Sequence, residues 1–493
     1  MSEPRAEVEL RPDRYVSLEE AIEAARGERR LVLGEELPDG LPETGGSGAQ
    51  VYGVTTGFGS LADRAAAPDS RNHQRALISH LATGTGPALP EPIVRLMVVD
   101  RLVTLSRGVS GIRPAVLESL LQLLEPEAVE LPHVPRYGSV GASGDLTPLA
   151  HLALWLNDRG LELRGRDALA LVNGTSASLA LILHAWHEFT RLIAPALEGA
   201  AIMVRAQGLA EQAYDARIHS LRIHSGQIAV ADAMRAALRQ TAQRSLPVPP
   251  DSAGRHEREL QSAYSFRCIP QILGPVVEDL EQLHGILERE LNAVTDNPLI
   301  LQGGQALHGG NFHGQPLAHA ADTLTRAMAS FAMLLDRQIA RVCDERLNHG
   351  LPAYLSGARL GPDSGLMGLQ VSATALAAEL AAAAQRRYVL QSRSTNGANQ
   401  DMVSMSTLAG VALLDALPRV RELVAMHAMT AAAAGDAAVA RREGGAAAAP
   451  FADWIRQRSA PLQEDRPLSG DIQAVAEALV SYTPQRGVVP FSW

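Results

Sequence analysis

The sequence predicts a mainly α-helical protein, a bundle of long helices joined to a smaller, mixed, loop-rich N-terminal domain. Three observations predict it. Alanine and leucine are abundant and aromatics are only 4% of the 493 residues, and Ala and Leu lose little on entering a helix. Beyond about Ala200, apolar residues recur at steps of three and four over long stretches, which marks buried helical faces. Before about Gly199, short apolar runs are bounded by Gly and Pro, as short strands and loops are. The expected division is 1–199 and 200–493.

In chain order, Met1 to Val16 alternates acids and arginines and lacks the apolar core of a signal peptide. Leu31-Val32-Leu33 and Ala128-Val129-Glu130-Leu131 read as short strands or loops. Glycines cluster at Gly45-Gly46, Gly53, Gly57, Gly59, Gly138, Gly141 and Gly144. Loops on a rigid scaffold are where chemistry concentrates. Farther on, Val277, Leu280, Leu283, Leu287, Leu291 and Val294 share one helical face. Leu324, Met328, Phe331, Leu335, Ile339 and Val342 share another. Pro298, Pro316 and Pro352 punctuate these runs, and helices this long imply a bundle. Ala432 to Pro450 reads as either a loop or a weak helix.

The net charge of -10 argues against sequence-independent nucleic-acid binding and against docking on an anionic membrane. Met429 to Ala449 is too weakly apolar, and with Asp436, Arg441, Arg442 and Glu443 too charged, to span a bilayer. Cys268 and Cys343 cannot form a disulfide framework and read as inert core thiols. A soluble cytoplasmic protein is the expectation.

Several motifs carry little. His184 and His187 share a helical face without a zinc-protease order, and a structural role is favoured. His308 and His313 are read the same way. The basic run Arg217 to His224 reads as a solvated face. The glycines from Gly53 to Gly59 lack the Gly-Lys-Ser/Thr of a nucleotide loop.

The run Gly138-Ser139-Val140-Gly141-Ala142-Ser143-Gly144-Asp145-Leu146-Thr147-Pro148-Leu149-Ala150-His151 is different. Its plain reading is a turn into a helix capped by Ser143 or Asp145. The whole string resembles the signature of the histidine and aromatic amino-acid ammonia-lyases, a family that includes aminomutases. The resemblance implies an ammonia-lyase-like long-helix bundle. It also implies that Ala142, Ser143 and Gly144 cyclise unaided into 4-methylideneimidazol-5-one (MIO), with no metal and no dissociable cofactor. Ring closure needs the Gly144 nitrogen at the Ala142 carbonyl carbon, and a side chain on residue 144 would block it. Loss of water from Ser143 leaves an electrophilic carbon that no standard side chain offers.

The family resemblance extends to further stations. Tyr52, opening Tyr52-Gly53-Val54-Thr55-Thr56-Gly57-Phe58-Gly59, resembles the catalytic base. Its phenol, ordinarily near a pKa of about 10, would need lowering by cations and a helix dipole. In Gln261-Ser262-Ala263-Tyr264-Ser265-Phe266-Arg267, Arg267 resembles the substrate-carboxylate clamp, and Tyr264 and Gln261 resemble supports of the reaction centre. Asn173 resembles a residue contacting the ring or the carboxylate. Phe312, within Gly309-Gly310-Asn311-Phe312-His313-Gly314, resembles one packed beside the ring.

Substrate choice rests on two places. Ser79-His80-Leu81 resembles tyrosine ammonia-lyases, where the His binds the phenol; histidine ammonia-lyases also carry Ser-His here. In Thr395-Asn396-Gly397-Ala398-Asn399-Gln400, histidine-specific members have a glutamate where this chain has Gln400. His80, Leu81 and Gln400 together point to L-tyrosine, giving trans-4-coumarate and ammonia, with L-phenylalanine as a second substrate. Asn396 and Gln400 would lie near the substrate amine or the prosthetic group. The resemblance further implies a homotetramer whose active sites combine loops from several subunits. The alternatives are a tyrosine or phenylalanine 2,3-aminomutase, a histidine ammonia-lyase and, remotely, an inactive helical scaffold or binding protein.

Overall fold

The computed structural model describes residues 5–35, 51–66, 69–125, 130–242, 261–301, 304–356, 361–440 and 449–491. Chain order runs β1 (Glu7–Leu10), α1 (Leu18–Ala25), β2 (Arg30–Leu33), α2 (Ser70–Leu81), β3 (Thr85–Ala88), α3 (Glu91–Leu105), α4 (Pro114–Gln122), β4 (Pro135–Tyr137), α5 (Leu146–Asp158), α6 (Asp167–Val172), α7 (Ser176–Gln207), α8 (Ala216–Ser220), α9 (Ser225–Ala242), α10 (Tyr264–Arg267), α11 (Ile269–Leu291), β5 (Leu299–Ile300), β6 (Ala306–Leu307), α12 (Gln315–Cys343), α13 (Met367–Ala383), α14 (Ser406–Ala440), α15 (Pro450–Arg456) and α16 (Ser469–Leu479). The fold is mainly helical, as the composition predicts.

Local chemistry explains the boundaries. Ser17 caps α1 by accepting from Glu20 N at 3.1 Å, and Ser17 N donates to Glu20 at 3.0 Å, a reciprocal box. Asp69 caps α2 through Arg71 N at 3.0 Å. Prolines stand at the first turns of α3 and α4, where no N–H is needed. The strands form three two-stranded pairs, and β1 and β2 run parallel with Val8 opposite Leu31.

Both predicted helical faces are buried. Val277, Leu280, Leu283, Leu287 and Leu291 line α11, and Leu324 through Val342 line α12. Val294 lies beyond the end of α11 and is half-buried. Leu31-Val32-Leu33 is strand; Ala128 and Val129 lie outside the described residues, and Glu130 and Leu131 are not in a strand. Of Ala432 to Pro450, the first part completes α14 to Ala440, residues 441–448 lie outside the described residues, and Pro450 starts α15. Met367–Leu390 and Ser406–Ala440 are long and apolar enough to cross a membrane by length and composition. The more apolar part of the latter is 67% buried within the fold.

The chain forms two compact units interleaved in sequence. Unit 1 comprises Met1–Ala185, Leu283–Asp322 and Arg387–Leu414. Within it α2, α5 and α6 pack together, burying Ile78, Leu149, Leu152 and Leu169. Unit 2 comprises Trp186–Gln282, Thr323–Arg386 and Asp415–Trp493. Residue 199 lies inside α7.

Candidate active site

Unit 1 holds Tyr52, His80, Leu81, Ala142, Ser143, Gly144, Asn173, Phe312, Asn396 and Gln400; unit 2 holds Gln261, Tyr264 and Arg267.

The tripeptide sits on a contorted loop. Gly141, Ser143 and Gly144 have φ of 70°, 54° and 73°. For Ser143 that left-handed conformation costs roughly 1–2 kcal/mol, so surrounding bonds must hold it. Met405 N donates to Val140 O at 2.8 Å, Ser404 Oγ to Gly141 O at 3.1 Å, and Gln400 Nε2 to Ser143 Oγ at 3.1 Å. Gly144 pairs with Gly174 across a strand-like bridge, and Asp145 N donates to Gly174 O at 2.7 Å. A β-carbon on residue 144 would stand 2.1 Å from Gly174 O, so only glycine fits.

Asp145 departs from expectation. It occupies the position before α5, yet its carboxylate makes no cap bond. Instead it accepts from Ser178 N at 2.6 Å, Ser178 Oγ at 2.9 Å, Thr407 Oγ1 at 2.5 Å and Ser139 Oγ at 3.2 Å. Complete burial raises its pKa, and these donors oppose the rise. Asp145 thus ties the loop before α5 to the starts of α7 and α14.

The Tyr52 hydroxyl accepts from Gly59 N at 2.7 Å. The expected lowering of its pKa is reversed here. Burial raises it, and the Gly59 N–H only offsets that rise. Phe58 meets Tyr52 edge-on at 6.4 Å and stacks on His73 at 4.6 Å. Asn396 packs against this loop, accepting from Ser60 N at 3.4 Å. His308, which reads from the sequence as structural, has its Nε2 3.4 Å from Tyr52 N, as acceptor.

His80 lies exposed in the last turn of α2 beside half-buried Leu81. Its Nδ1 is 3.1 Å from Ala76 O. A carbonyl only accepts, so the proton belongs on Nδ1, and the neutral ring offers Nε2 as an acceptor.

Asn173 is buried just after α6, and its Nδ2 donates to Asn297 O at 3.1 Å. Its Oδ1 has no partner among the described residues. A buried acceptor left this way costs on the order of 1–3 kcal/mol until a donor arrives. Phe312 is half-buried in a loop held by Gly309 N on Asn297 Oδ1 at 2.8 Å and a His313–Met402 O contact at 3.1 Å.

In unit 2, Arg267 Nε donates to Ser262 O at 3.1 Å, and its guanidinium lies 4.9 Å from the Tyr264 ring centre. Tyr264 is 68% exposed. Gln261, Arg267, Cys268 and Gln271 line a cleft of about 290 Å³. Cys268 is therefore half-exposed rather than core, whereas burial pushes the Cys343 thiol up to about 12. The α10 turn is held through its carbonyls. Tyr214 OH donates to Phe266 O at 2.7 Å, and Gln338 Nε2 to Ser265 O at 2.7 Å. His427 bonds Gln338 Oε1 at 2.8 Å, and burial drops its pKa to about 3, so it is neutral.

Residues 39–161 and 157–457 match the profile described as "Aromatic amino acid lyase". The chain belongs to the aromatic amino acid lyase family. It is similar to tyrosine ammonia-lyase of Cereibacter sphaeroides, at 38% identity over 98% of this chain and 99% of the relative. It is also similar to histidine ammonia-lyase of Paracidovorax citrulli, at 37% identity over 94% of each. Among solved structures it resembles tyrosine aminomutase from Streptomyces globisporus, with a TM-score of 0.85 and 30% identity over 96% of this chain and 97% of that one. The chain is a carbon–nitrogen lyase with the mainly helical fold of the ammonia-lyases and aminomutases. MIO is characteristic of this family.

Proposed function

We propose that this lyase converts L-tyrosine to trans-4-coumarate and ammonia, accepting L-phenylalanine as a weaker substrate. His80, with Nε2 left as an acceptor, carries the tyrosine reading. The neutral amide of Gln400 supports it, donating to Ser143 and accepting from Thr395 Oγ1 at 2.7 Å. We infer that Ala142-Ser143-Gly144 cyclises to MIO, and one observation fits that group: residue 144 has no room for a side chain, so its nitrogen can approach residue 142 unobstructed. Once formed, the group supplies an electrophilic methylidene carbon that no standard side chain provides.

The chain's own residues supply the remaining requirements. Arg267 pairs with the substrate carboxylate through its planar fork. His80 Nε2 accepts the phenol hydroxyl, and Leu81 and Phe312 pack the ring. Asn173 Oδ1 accepts from the substrate ammonium. Tyr52, once deprotonated, takes the β-proton, with the Gly59 N–H stabilising its phenolate. Gln261 and Tyr264 support Arg267, and Asn396 holds the Tyr52 loop.

An ultraviolet assay of tyrosine, phenylalanine and histidine in parallel tests the proposal. Coumarate should form fastest, and faster urocanate formation would overturn it. His80→Phe should shift the tyrosine-to-phenylalanine ratio of kcat/KM toward phenylalanine by at least about tenfold, since a lost acceptor no longer rewards the hydroxyl. An unchanged ratio would remove His80 from substrate choice. The likeness to a tyrosine aminomutase favours a second reading, in which ammonia is returned to the β-carbon. Chiral chromatography separates the two, and predominant β-tyrosine would sink the lyase reading.

Tyr214→Phe should raise KM about fivefold and change kcat less. It removes one neutral hydrogen bond beneath the turn carrying Arg267. An unchanged KM would show that the turn holds without it.

We further propose a homotetramer with active sites shared between subunits. Val371 on α13 and Met333 on α12 are 61% and 52% exposed, apolar surface suited to a partner copy. Native mass spectrometry should give four chains. The burial of α14 favours a core helix over a span, which supports a cytoplasmic location.

A further inference from the structure

Arg101 on α3 is 0% exposed although it carries a guanidinium. Its Nη1 donates to Asn173 O at 2.7 Å. Its Nε and Nη2 have no hydrogen-bond partner among the described residues. Burying a guanidinium this way is costly, and an apolar side chain would fill the space more cheaply.

The position of this guanidinium is informative. A β-carbon on residue 174 would stand 2.3 Å from Arg101 Nη1 and 2.8 Å from both Nη2 and Thr295 Oγ1. Arg101 therefore lies directly against the Gly174 backbone. The other side of the Asn173–Thr175 strip is tied down as well. Asn173 Nδ2 reaches Asn297 O at 3.1 Å, and Thr175 N reaches Thr295 Oγ1 at 3.4 Å. The Gly174 carbonyl is in turn the surface against which Gly144 packs and onto which Asp145 N bonds. The Gly144 N–H donates to no group among the described residues, so its nitrogen is uncommitted.

We infer that Arg101 is a positioning residue for the cyclisation of Ala142-Ser143-Gly144, acting through the Asn173–Gly174 backbone that braces Gly144. This rests on the reading that the tripeptide cyclises. In that step the Gly144 nitrogen bonds to the Ala142 carbonyl carbon. The Ala142 oxygen leaves as water with the amide hydrogens of Gly144 and Ser143. The Ser143 hydroxyl leaves as a second water with the Ser143 α-hydrogen. No oxidant or reductant is needed. Closure requires residues 142 and 144 to stay pressed together, and a braced strip keeps Gly144 from backing away. The neighbouring Asp100 does not forbid removal of the cation. Burial holds its carboxyl at about 7, so it can sit protonated.

The test follows the mass of newly made full-length chains over time, for wild type, Arg101→Met and Arg101→Lys, beside thermal unfolding. Wild type should lose two waters. Arg101→Met, folded, should lose them at least about tenfold more slowly, because one charge-assisted bond holds the strip. Arg101→Lys should fall between the two. Folded Met and Lys variants that mature at the wild-type rate would overturn the assignment. Failure of both to fold would also overturn it, making Arg101 a residue of the fold alone. A wild-type chain at full mass would instead sink the cyclisation reading, which keeps the two failures distinct.

Discussion

Ser143→Ala leaves the chain at its full unmodified mass and lowers turnover of every amino acid by at least about a thousandfold, since no other side chain supplies the electrophile. The wild-type chain, by contrast, should lack the mass of two waters. The variant should remain folded. The bond removed is one from Gln400 Nε2 to Ser143 Oγ, while Met405, Ser404 and Asp145 still hold the loop. Alanine and serine bear the φ of 54° at similar cost, so thermal stability moves by no more than about 1 kcal/mol. A Ser143→Ala chain that still loses two waters, or still deaminates tyrosine, would overturn the assignment of the electrophile.

Tyr52→Phe keeps the mass deficit and loses the chemistry. Removing a positioned general base costs about 10²- to 10⁴-fold in kcat. The structural loss is one acceptor for Gly59 N, worth about 1 kcal/mol. The pH profile gives a second check. Burial raises the Tyr52 pKa above its ordinary value, so the base form is scarce at neutral pH and grows as pH rises. Wild-type kcat/KM should climb with pH, close to tenfold per unit between about pH 7 and 9. A flat profile over that range, or a Phe variant with wild-type turnover, would remove Tyr52 from the role of base.

The candidate site is partly legible in the sequence because part of its proposed chemistry is local. The proposed cyclisation would join atoms two residues apart, so it requires Ala142, Ser143 and Gly144 to be contiguous and would dictate their residue types. Tyr52 and Gln400 lie in short Gly-rich or polar runs outside the helices, and Arg267 ends the one-turn helix α10. Helical faces were legible for a similar reason, since α11 and α12 bury one side each. Val294 shows where periodicity misleads, continuing the pattern after the helix has ended.

Other features have no local signal. Asp145 looks like a cap residue, yet its partners Ser178 and Thr407 are 33 and 262 residues away. Arg101 sits within an apolar helix run and touches Asn173 only because α3 packs beneath it. The Tyr52 pKa depends on burial, which a sequence does not state.

The sequence by itself determined that the protein is built of long helices, and it carries the contiguous Ala142-Ser143-Gly144 that the proposed ring closure requires. Both are near-neighbour features: helical period in one case, atoms two residues apart in the other. Only the tertiary structure decided how that tripeptide is held. The bracing comes from Gly174, Ser404, Asp145 and Arg101, residues distant in the chain whose approach is fixed by packing.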